Sequence, residues 1–194
     1  GDIVDTNSLM LAGMAQVAGC VTQVLPIAAD DPSVLSAAIG AAAGQADLVL
    51  VIAGSSAGRD DHTAEVLATL GKVAVHGVAI RPGHPVVLGV IDDVIPVPVI
   101  GVPGYPVSAA HVFDTFAAPM IAVHAATAPR PRTMVSAVLS ASVDSPEHVE
   151  ECVLVRLEER GGELTAVPRG RGAGALSRLA RADGVLRIPA GTRR

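Results

Sequence analysis

A loop of small and acidic residues directly follows an apolar run, an order that is typical of a ligand site. The apolar run is 48–52 and the loop is 53–61. Gly54 and Gly58 can adopt backbone angles closed to other residues, and successive exposed N–H groups in such a turn can hold an anion. The loop therefore predicts oxyanion or phosphate chemistry. Asp61 at its end is suited to cap the next helix or to hold a metal ion.

Two further loops rich in Gly and Pro follow strand-like runs. One is 81–85, with the sequence Arg-Pro-Gly-His-Pro, and the other is 101–108, which leads into a helix. Pro-Gly is a common turn dipeptide, so each loop alone is explained by architecture. Ligands of open α/β sheets bind at the carboxyl ends of strands, however, and all three loops fall at such positions. Together they predict one preorganised pocket.

The first two thirds of the chain alternate between helical and strand-like patterns. Thr6, Asn7 and Ser8 are good caps for a first helix, and Asp31-Pro32 opens a second. A third helix is predicted over 61–70, and a last one after Pro106 that Pro119 bends or ends. Strands are predicted at 21–27, 48–52, 72–78, 86–90 and 96–102. This alternation predicts an open, mostly parallel α/β sheet.

The last third changes in rhythm and in charge. Strands are predicted at 134–143, 151–159, 163–167 and 184–188, with a hairpin turn at Gly161-Gly162. Residues 1–129 hold three Arg or Lys against eleven Asp or Glu, whereas residues 130–194 hold eleven against eight. We therefore predict two domains, 1–128 and 129–194, the second a small all-β domain of sandwich or barrel type.

Composition excludes several classes of function. The basic C-terminal part contains no aromatic residue and mixes its arginines with acids, which argues against nucleic-acid binding. Every apolar run of membrane-spanning length is interrupted by Pro, Gly or a charge, so no membrane partner is expected. The start has no signal segment, and the two cysteines lack metal-ligand spacing. We expect a reducing, cytoplasmic setting and a chain that is a fragment of a longer protein.

Five ordered motifs give the chain a family resemblance. They are 1–8 (Gly-Asp-Ile-Val-Asp-Thr-Asn-Ser), 30–32 (Asp-Asp-Pro), 54–58 (Gly-Ser-Ser-Ala-Gly), 81–85 and 101–109. In this order they resemble the MoeA/gephyrin E-domain family, the molybdopterin molybdotransferases of molybdenum-cofactor biosynthesis. The resemblance covers residues 1 to about 124, and the remaining tail is similar in size and position to the small C-terminal β-domain of that family.

The resemblance implies a fold and a reaction. The fold is a MogA-like three-layer α/β/α domain with a mostly parallel sheet, followed by the small all-β domain. The implied reaction inserts molybdate into adenylylated molybdopterin and releases AMP, with Mg²⁺ held at Asp61. A homodimer is implied as well. Asp61 and Arg81 take the catalytic positions, and the substrate-binding positions are Asp5, Asn7, Ser8, Gly54, Ser55, Ser56, Ala57, Gly58, Gly83, His84, Pro103, Gly104, Tyr105, Pro106 and Ser108.

Three positions depart from the family pattern and keep other functions open. Arg81 and His84 stand where the family has lysines, and Tyr105 stands where it has asparagine. A MogA-like adenylyltransferase acting one step earlier is one alternative, which the C-terminal tail and the Asp-Thr-Asn start disfavour. A non-catalytic module that binds molybdopterin or molybdate is another, which the loss of both lysines favours.

Overall fold

A computed structural model describes residues 4–52, 62–92, 95–128, 131–170, 172 and 176–192. Its helices are α1 Asn7–Val17, α2 Pro32–Ala43, α3 Thr63–Leu70, α4 Pro106–Val112, α5 Ala118–His124 and α6 Leu176–Ala180, with a π-helical turn Phe113–Ala117 between α4 and α5. Its strands are β1 Val49–Ile52, β2 Gly71–His76, β3 Ile80–Arg81, β4 Val87–Ile91, β5 Val97–Val102, β6 Val138–Leu139, β7 Glu150–Arg160, β8 Glu163–Pro168 and β9 Gly184–Ile188.

The first sheet contains both parallel and antiparallel strand pairs. The prediction of a mostly parallel sheet is therefore wrong. In the described part of the chain the order of this sheet is β1-β5-β4-β2, and only the β1–β5 pairing there is parallel. The reason is the length of the connections. A parallel pair needs a crossover of a dozen or more residues, whereas β4 follows β2 after residues 77–86 and β5 follows β4 after residues 92–96. The α/β class itself is confirmed.

Alternate side chains of this sheet enter two separate cores, which gives the three-layer α/β/α domain. On one face α1, α4 and α5 cover Ile100, Val102 and the even-numbered residues 48, 50 and 52. On the other face α2 and α3 cover Val97, Val99 and the odd-numbered residues 49 and 51. Residues 48–52 are uninterruptedly apolar because both faces of β1 are covered.

The strand predicted at 21–27 does not form. This segment is irregular, and most of its side chains, including Val21 and Ile27, are exposed. Strand β1 is the edge of the described sheet on the side away from β5. Segment 21–27 lines a cavity together with β1 instead of pairing with it. The apolar pattern fits a strand, but a strand also needs a neighbour that satisfies its backbone N–H and C=O groups.

The helix that follows Pro106 passes Pro119 and ends at His124, so Pro119 does not end it. The N–H of Ala118 bonds to the carbonyl of Phe113, five residues back, and this wider turn directly precedes the proline ring. The stretch Pro106–His124 is long and apolar enough to cross a membrane by length and composition. Half of its best window is buried within the fold, as in a core helix.

The C-terminal part forms an open sheet in the described residues, not a sandwich or a barrel. Its order is β3-β7-β8-β6, and β9 also pairs with β7. Gly161 and Gly162 form the predicted hairpin turn, with φ angles of 60° and 83° as a type I′ turn requires. The domain is not entirely β, because α6 forms from good helix formers. Of the strand predicted at 134–143 only β6 forms. The division into 1–128 and 129–194 stays a prediction.

Gly71 is required by a close approach of two strands. A Cβ atom there would collide with the carbonyl oxygen of Val90 and would lie 2.8 Å from the Cα of Ile91. We predict that Gly71→Ala lowers the free energy of unfolding by about 2 kcal/mol or more, because rigid backbone must move. Gly40, inside α2, has open space at its Cβ position. Gly40→Ala is the matched control and should raise stability by about 0.5–1 kcal/mol. Chemical denaturation measures both, and equal effects would contradict this packing.

His111 predicts a pH dependence of stability. Burial lowers the pKa of its imidazole from 6.5, more than the Asp114 carboxylate nearby raises it. Below pH 6.5 the unfolded chain therefore binds a proton that the folded chain refuses. This contribution to stability is complete above pH 6.5 and falls on acidification, by at most about 1.4 kcal/mol per pH unit. Denaturation of wild type and His111→Gln between pH 7.5 and 5 should show a flatter profile for the variant, and parallel profiles would refute the assignment.

Candidate functional site

A large cavity opens along the unpaired edge of β1. Its volume is about 1710 Å³, and its walls come from α1, residues 18–30, α2, β1 and the start of α4. Pockets for small ligands are usually about 300–1000 Å³, so this space exceeds what one such molecule fills. Most of the wall is apolar. Polar side chains gather where β1 and β5 reach their carboxyl ends, the edge at which α/β sheets bind ligands.

We call these residues the carboxyl-end cluster. Each of them lines the cavity, and they come from the segment before and in the first turn of α1, the start of α3, and the loop between β5 and α4. The members are Asp5, Thr6, Asn7, Ser8, His62, Thr63, Gly104, Tyr105 and Pro106. Six of the nine were predicted as substrate-binding residues, from two motifs nearly a hundred positions apart. The fold therefore brings the first and last of the predicted motifs to one place.

Three helices begin within this cluster. Asn7, Thr63 and Pro106 are the first residues of α1, α3 and α4, and all three line the cavity. The first N–H groups of a helix have no partner within the helix, and the aligned peptide dipoles add a partial positive charge at that end. The starts of α3 and α4 have no side-chain cap, and such ends favour an anion, although residues 1–129 carry an excess of acids.

A single hydrogen bond joins the two motifs. Asn7 Nδ2 donates to the carbonyl oxygen of Gly104 at 2.7 Å. Asn7 is buried, and the bond fixes the first turn of α1 against the loop that precedes α4. Among the described residues, Asn7 Oδ1 and the buried hydroxyl of Thr63 have no hydrogen-bond partner. Each oxygen is buried and retains the capacity to accept a hydrogen bond from an N–H group.

Asp5 caps α1. Its Oδ1 accepts a hydrogen bond from the backbone N–H of Ser8 at 3.1 Å. Hydrogen bonds from the Ser8 side chain and backbone lower the pKa of the Asp5 carboxyl. The capping residue of the helix start is therefore Asp5, since Thr6 makes no side-chain capping bond. Asp5 is an acidic residue next to a site that favours anions, and its role as the helix cap explains why it is there.

The turn 81–85 does not line the cavity. Gly83 has a φ of 109°, and a Cβ there would lie 2.9 Å from Val112 Cγ2, so the turn packs closely on α4. His84 Nδ1 pairs with the carbonyl oxygen of Val78 at 2.6 Å, which closes the loop that begins at Gly77. Arg81 instead faces the C-terminal sheet, with its Nε 3.8 Å from Glu151 Oε1. Arg81, Gly83 and His84 could contact a ligand, as predicted, only if that ligand extends beyond the cavity.

Two other predicted residues are part of the core. Pro103 and Ser108 are buried and do not line the cavity. Ser108 lies in the first turn of α4, and its carbonyl oxygen faces Gly83. Both residues hold the loop and helix in place, and neither side chain contributes to the cavity wall.

The glycine-rich loop lies outside the described residues, and with it Gly54, Ser55, Ser56, Ala57, Gly58 and the metal prediction at Asp61. Its neighbours in sequence, Ile52 and His62, both line the cavity. Within the described ranges, no group of three His, Cys, Asp or Glu residues is placed to hold a metal ion.

Sequence reasoning did not predict three members of the cluster as binding residues: Thr6, which is expected only as a helix cap, His62 and Thr63. His62 and Thr63 follow the predicted loop directly, yet neither belongs to one of the predicted motifs. Their position in the sequence could have indicated this role, because residues that directly follow a βα loop begin the next helix and lie at the same ligand site as the loop. Thr63 is fully buried, so its hydroxyl costs free energy unless a partner satisfies it.

Known proteins match the chain over nearly its whole length. The family described as "Probable molybdopterin binding domain" matches residues 1–123, and "MoeA C-terminal region (domain IV)" matches residues 136–194. A protein of Methanocaldococcus jannaschii named for molybdopterin biosynthesis is 35% identical over 97% of this chain and 44% of its own length. "Molybdopterin molybdenumtransferase 2" of Mycobacterium tuberculosis is 32% identical over 97% of this chain and 47% of its own length.

A solved structure agrees with these matches. The crystal structure of a molybdopterin biosynthesis MoeA protein from Pyrococcus horikoshii superposes with a TM-score of 0.81 and 32% identity, over 97% of this chain and 44% of that one. The chain thus spans less than half the length of these relatives. Because one family matches its first 123 residues and another its last 59, from 136 to 194, the chain belongs to the MoeA family of molybdenum cofactor biosynthesis.

Proposed function

We propose that this chain forms the nucleotide-binding part of a molybdopterin molybdotransferase, which inserts molybdate into adenylylated molybdopterin and releases AMP. Relatives that share 32–34% identity with it are named molybdopterin molybdenumtransferases. The observation that carries the proposal is the convergence of three helix starts on the carboxyl-end cluster. The proposed substrate carries phosphate groups, and these require a local positive field in a domain whose net charge is negative.

The heterocyclic part of the substrate has its own partners in the cluster. Pterin and adenine rings both present N–H groups, and Asn7 Oδ1 and the Thr63 hydroxyl are buried acceptors with no partner among the described residues. A site whose polar groups stay unpaired without the correct ligand discriminates strongly against analogues that lack the matching donor. The proposal therefore places one ring against Asn7 and Thr63 and the phosphates at the helix starts.

The reacting groups of the proposal come from the family resemblance. Asp61 and a phosphate oxygen are suitable ligands for Mg²⁺, which would supply a positive charge where the phosphoanhydride is cleaved. Ile52 and His62, the sequence neighbours of the 53–61 loop, both line the cavity. Arg81 supplies a permanent positive charge. The homodimer and the cytoplasmic setting rest on the resemblance alone.

One observation favours a second candidate function, a non-catalytic module that binds molybdopterin or molybdate. The binding residues Asn7, Ser8 and Tyr105 line the cavity, whereas Arg81 and His84 do not. A site that keeps its binding residues in the cavity wall, but has the charged Arg81 side chain outside that wall, can bind a ligand without catalysing its reaction. Equilibrium binding of adenylylated molybdopterin without AMP release would identify this case, and AMP release that depends on molybdate would identify the transferase.

Asn7 gives the most direct test of binding. We predict that Asn7→Ala weakens AMP binding by about tenfold and lowers stability by about 1–2 kcal/mol, because Gly104 loses its donor and the ligand loses its acceptor. Isothermal titration and chemical denaturation measure the two effects. Gln16→Ala is the control, since it removes another side-chain hydrogen bond of α1, that of Nε2 to Thr22 at 2.9 Å. Unchanged AMP affinity in Asn7→Ala would refute the placement of the ligand.

Asp61 gives the test of catalysis. We predict that Asp61→Asn abolishes molybdate-dependent AMP release from adenylylated molybdopterin and leaves the circular dichroism spectrum and melting temperature unchanged. The amide keeps the shape of the side chain but removes the charge that a metal ion needs. Asp60→Asn is the matched control in the same loop and should retain activity. Normal turnover in Asp61→Asn would contradict the catalytic assignment.

A further inference from the structure

Tyr105 is an exposed aromatic residue in the wall of the cavity. The chain contains one tyrosine, two phenylalanines and no tryptophan, so its cores are built almost entirely from aliphatic side chains. Phe113 is 2% exposed, and Phe116 packs against the same core. Tyr105, in contrast, lines the cavity and is 64% exposed. The aromatic side chain that the core does not use is therefore available where the ligand is proposed to bind.

The backbone at Tyr105 is held on both sides. Asn7 Nδ2 donates, at 2.7 Å, to the carbonyl oxygen of the peptide group that joins Gly104 to Tyr105. Pro106 restricts the residue before it to extended conformations, and Tyr105 accordingly has a φ of −85° and a ψ of 130°. The carbonyl oxygen of Tyr105 accepts a hydrogen bond at 2.8 Å from the N–H of Ala109, which is fully buried. The ring is thus carried by a rigid support.

The Tyr105 side chain is not used to close the helix that follows it. Tyr105 directly precedes α4, yet its side chain makes no capping hydrogen bond. A tyrosine ring is large and rigid, and ordering it against a ligand costs little conformational entropy. A ring on a fixed backbone, exposed in a concave wall, is suited to contact a flat molecule.

The polar and aromatic groups of the cluster suit different parts of a heterocycle. The N–H groups of a planar ring point outward in its plane, where Asn7 Oδ1 or the Thr63 hydroxyl can accept their hydrogen bonds. The faces of the ring make no such bonds and bind by stacking on aromatic side chains. Because the Asn7 amide contacts the peptide group of Tyr105, a ring bound at Asn7 is within reach of the Tyr105 side chain.

We infer that Tyr105 is the stacking surface for the heterocyclic ring of the nucleotide, and that it makes the site selective for ligands with a flat ring over phosphate esters without one. This inference rests on the proposed function, because it takes the ligand of the carboxyl-end cluster to be a nucleotide. It adds a specificity-determining residue to that site. It also gives a function to the tyrosine that stands where the family has asparagine.

The fluorescence of the protein reports this contact directly. Since the chain has one tyrosine and no tryptophan, its tyrosine emission comes from Tyr105 alone. We expect AMP to quench this emission in a saturable manner. Ribose 5-phosphate carries the phosphate but no heterocycle and should leave the emission unchanged. Calorimetric binding of AMP without quenching, or equal quenching by ribose 5-phosphate, would overturn the inference.

Variants of the whole chain separate the ring from the hydroxyl. In titration calorimetry, Tyr105→Ala should weaken AMP binding about tenfold, because a base loses its stacking partner, and leave the affinity for ribose 5-phosphate unchanged. Tyr105→Phe keeps the ring and should bind AMP as the wild type does. Tyr105 is exposed, so neither variant should unfold the protein, and circular dichroism checks this. Equal losses of AMP affinity in both variants would assign the contact to the hydroxyl and overturn the inference.

Val123→Ala is the matched control. Val123 also lines the cavity and is 78% exposed, but it lies near the far end of the helical stretch that begins at Pro106. The distance along the helix axis is about 25 Å. This variant should leave AMP affinity unchanged, and a loss equal to that in Tyr105→Ala would overturn the selective role of Tyr105.

A ligand without phosphate separates this inference from the proposed function. Adenosine tests the stacking surface, whereas molybdate-dependent AMP release from adenylylated molybdopterin tests the transferase. Quenching by adenosine and AMP in a protein that releases no AMP supports the stacking role and refutes the transferase. Absence of quenching by both ligands overturns the stacking role, even in a protein that releases AMP.

Discussion

The sheet of the N-terminal domain is buried on both faces, and the position of every functional group depends on this constraint. Because side chains of a strand alternate between faces, β1 and β5 supply two cores at once, and helices must cover each side. Helices α3 and α4 follow β1 and β5 along the chain and begin near the carboxyl ends of these strands. The hydrogen bond from Asn7 to Gly104 joins the start of α1 to the same place. The site follows from the layering.

This convergence resolves an electrostatic conflict. The first 129 residues carry eleven acids against three Arg or Lys, yet the motifs indicate an anionic ligand. Helix starts supply positive potential without formal charge, and hydrogen bonds from Ser8 stabilise the charged Asp5 carboxylate at the start of α1. Arg81 does not line the cavity, because its strand pairs with β7 and its guanidinium faces Glu151 of the C-terminal sheet.

Local patterns predicted most elements because local physics forms them. Asp31-Pro32 opens α2, with Asp31 Oδ1 accepting from Ser33 and Val34, and the Gly161-Gly162 turn forms as its φ preference dictates. The predictions that failed concern features that depend on contacts between residues far apart in the sequence. Segment 21–27 has the apolarity of a strand but no neighbour, and the direction of β4 follows from loop lengths. For the site, motif order identified Asn7 and Gly104, but their hydrogen bond and the burial of Thr63 are visible only in three dimensions.

The most direct test of the central claim is a crystal structure of this chain with AMP bound. The account predicts the phosphate within hydrogen-bond distance of the first N–H groups of α1, α3 or α4, and a ring nitrogen of adenine donating to Asn7 Oδ1 or the Thr63 hydroxyl. AMP bound at the apolar wall formed by α2 and residues 18–30, or at the outer face of the C-terminal sheet, would contradict it.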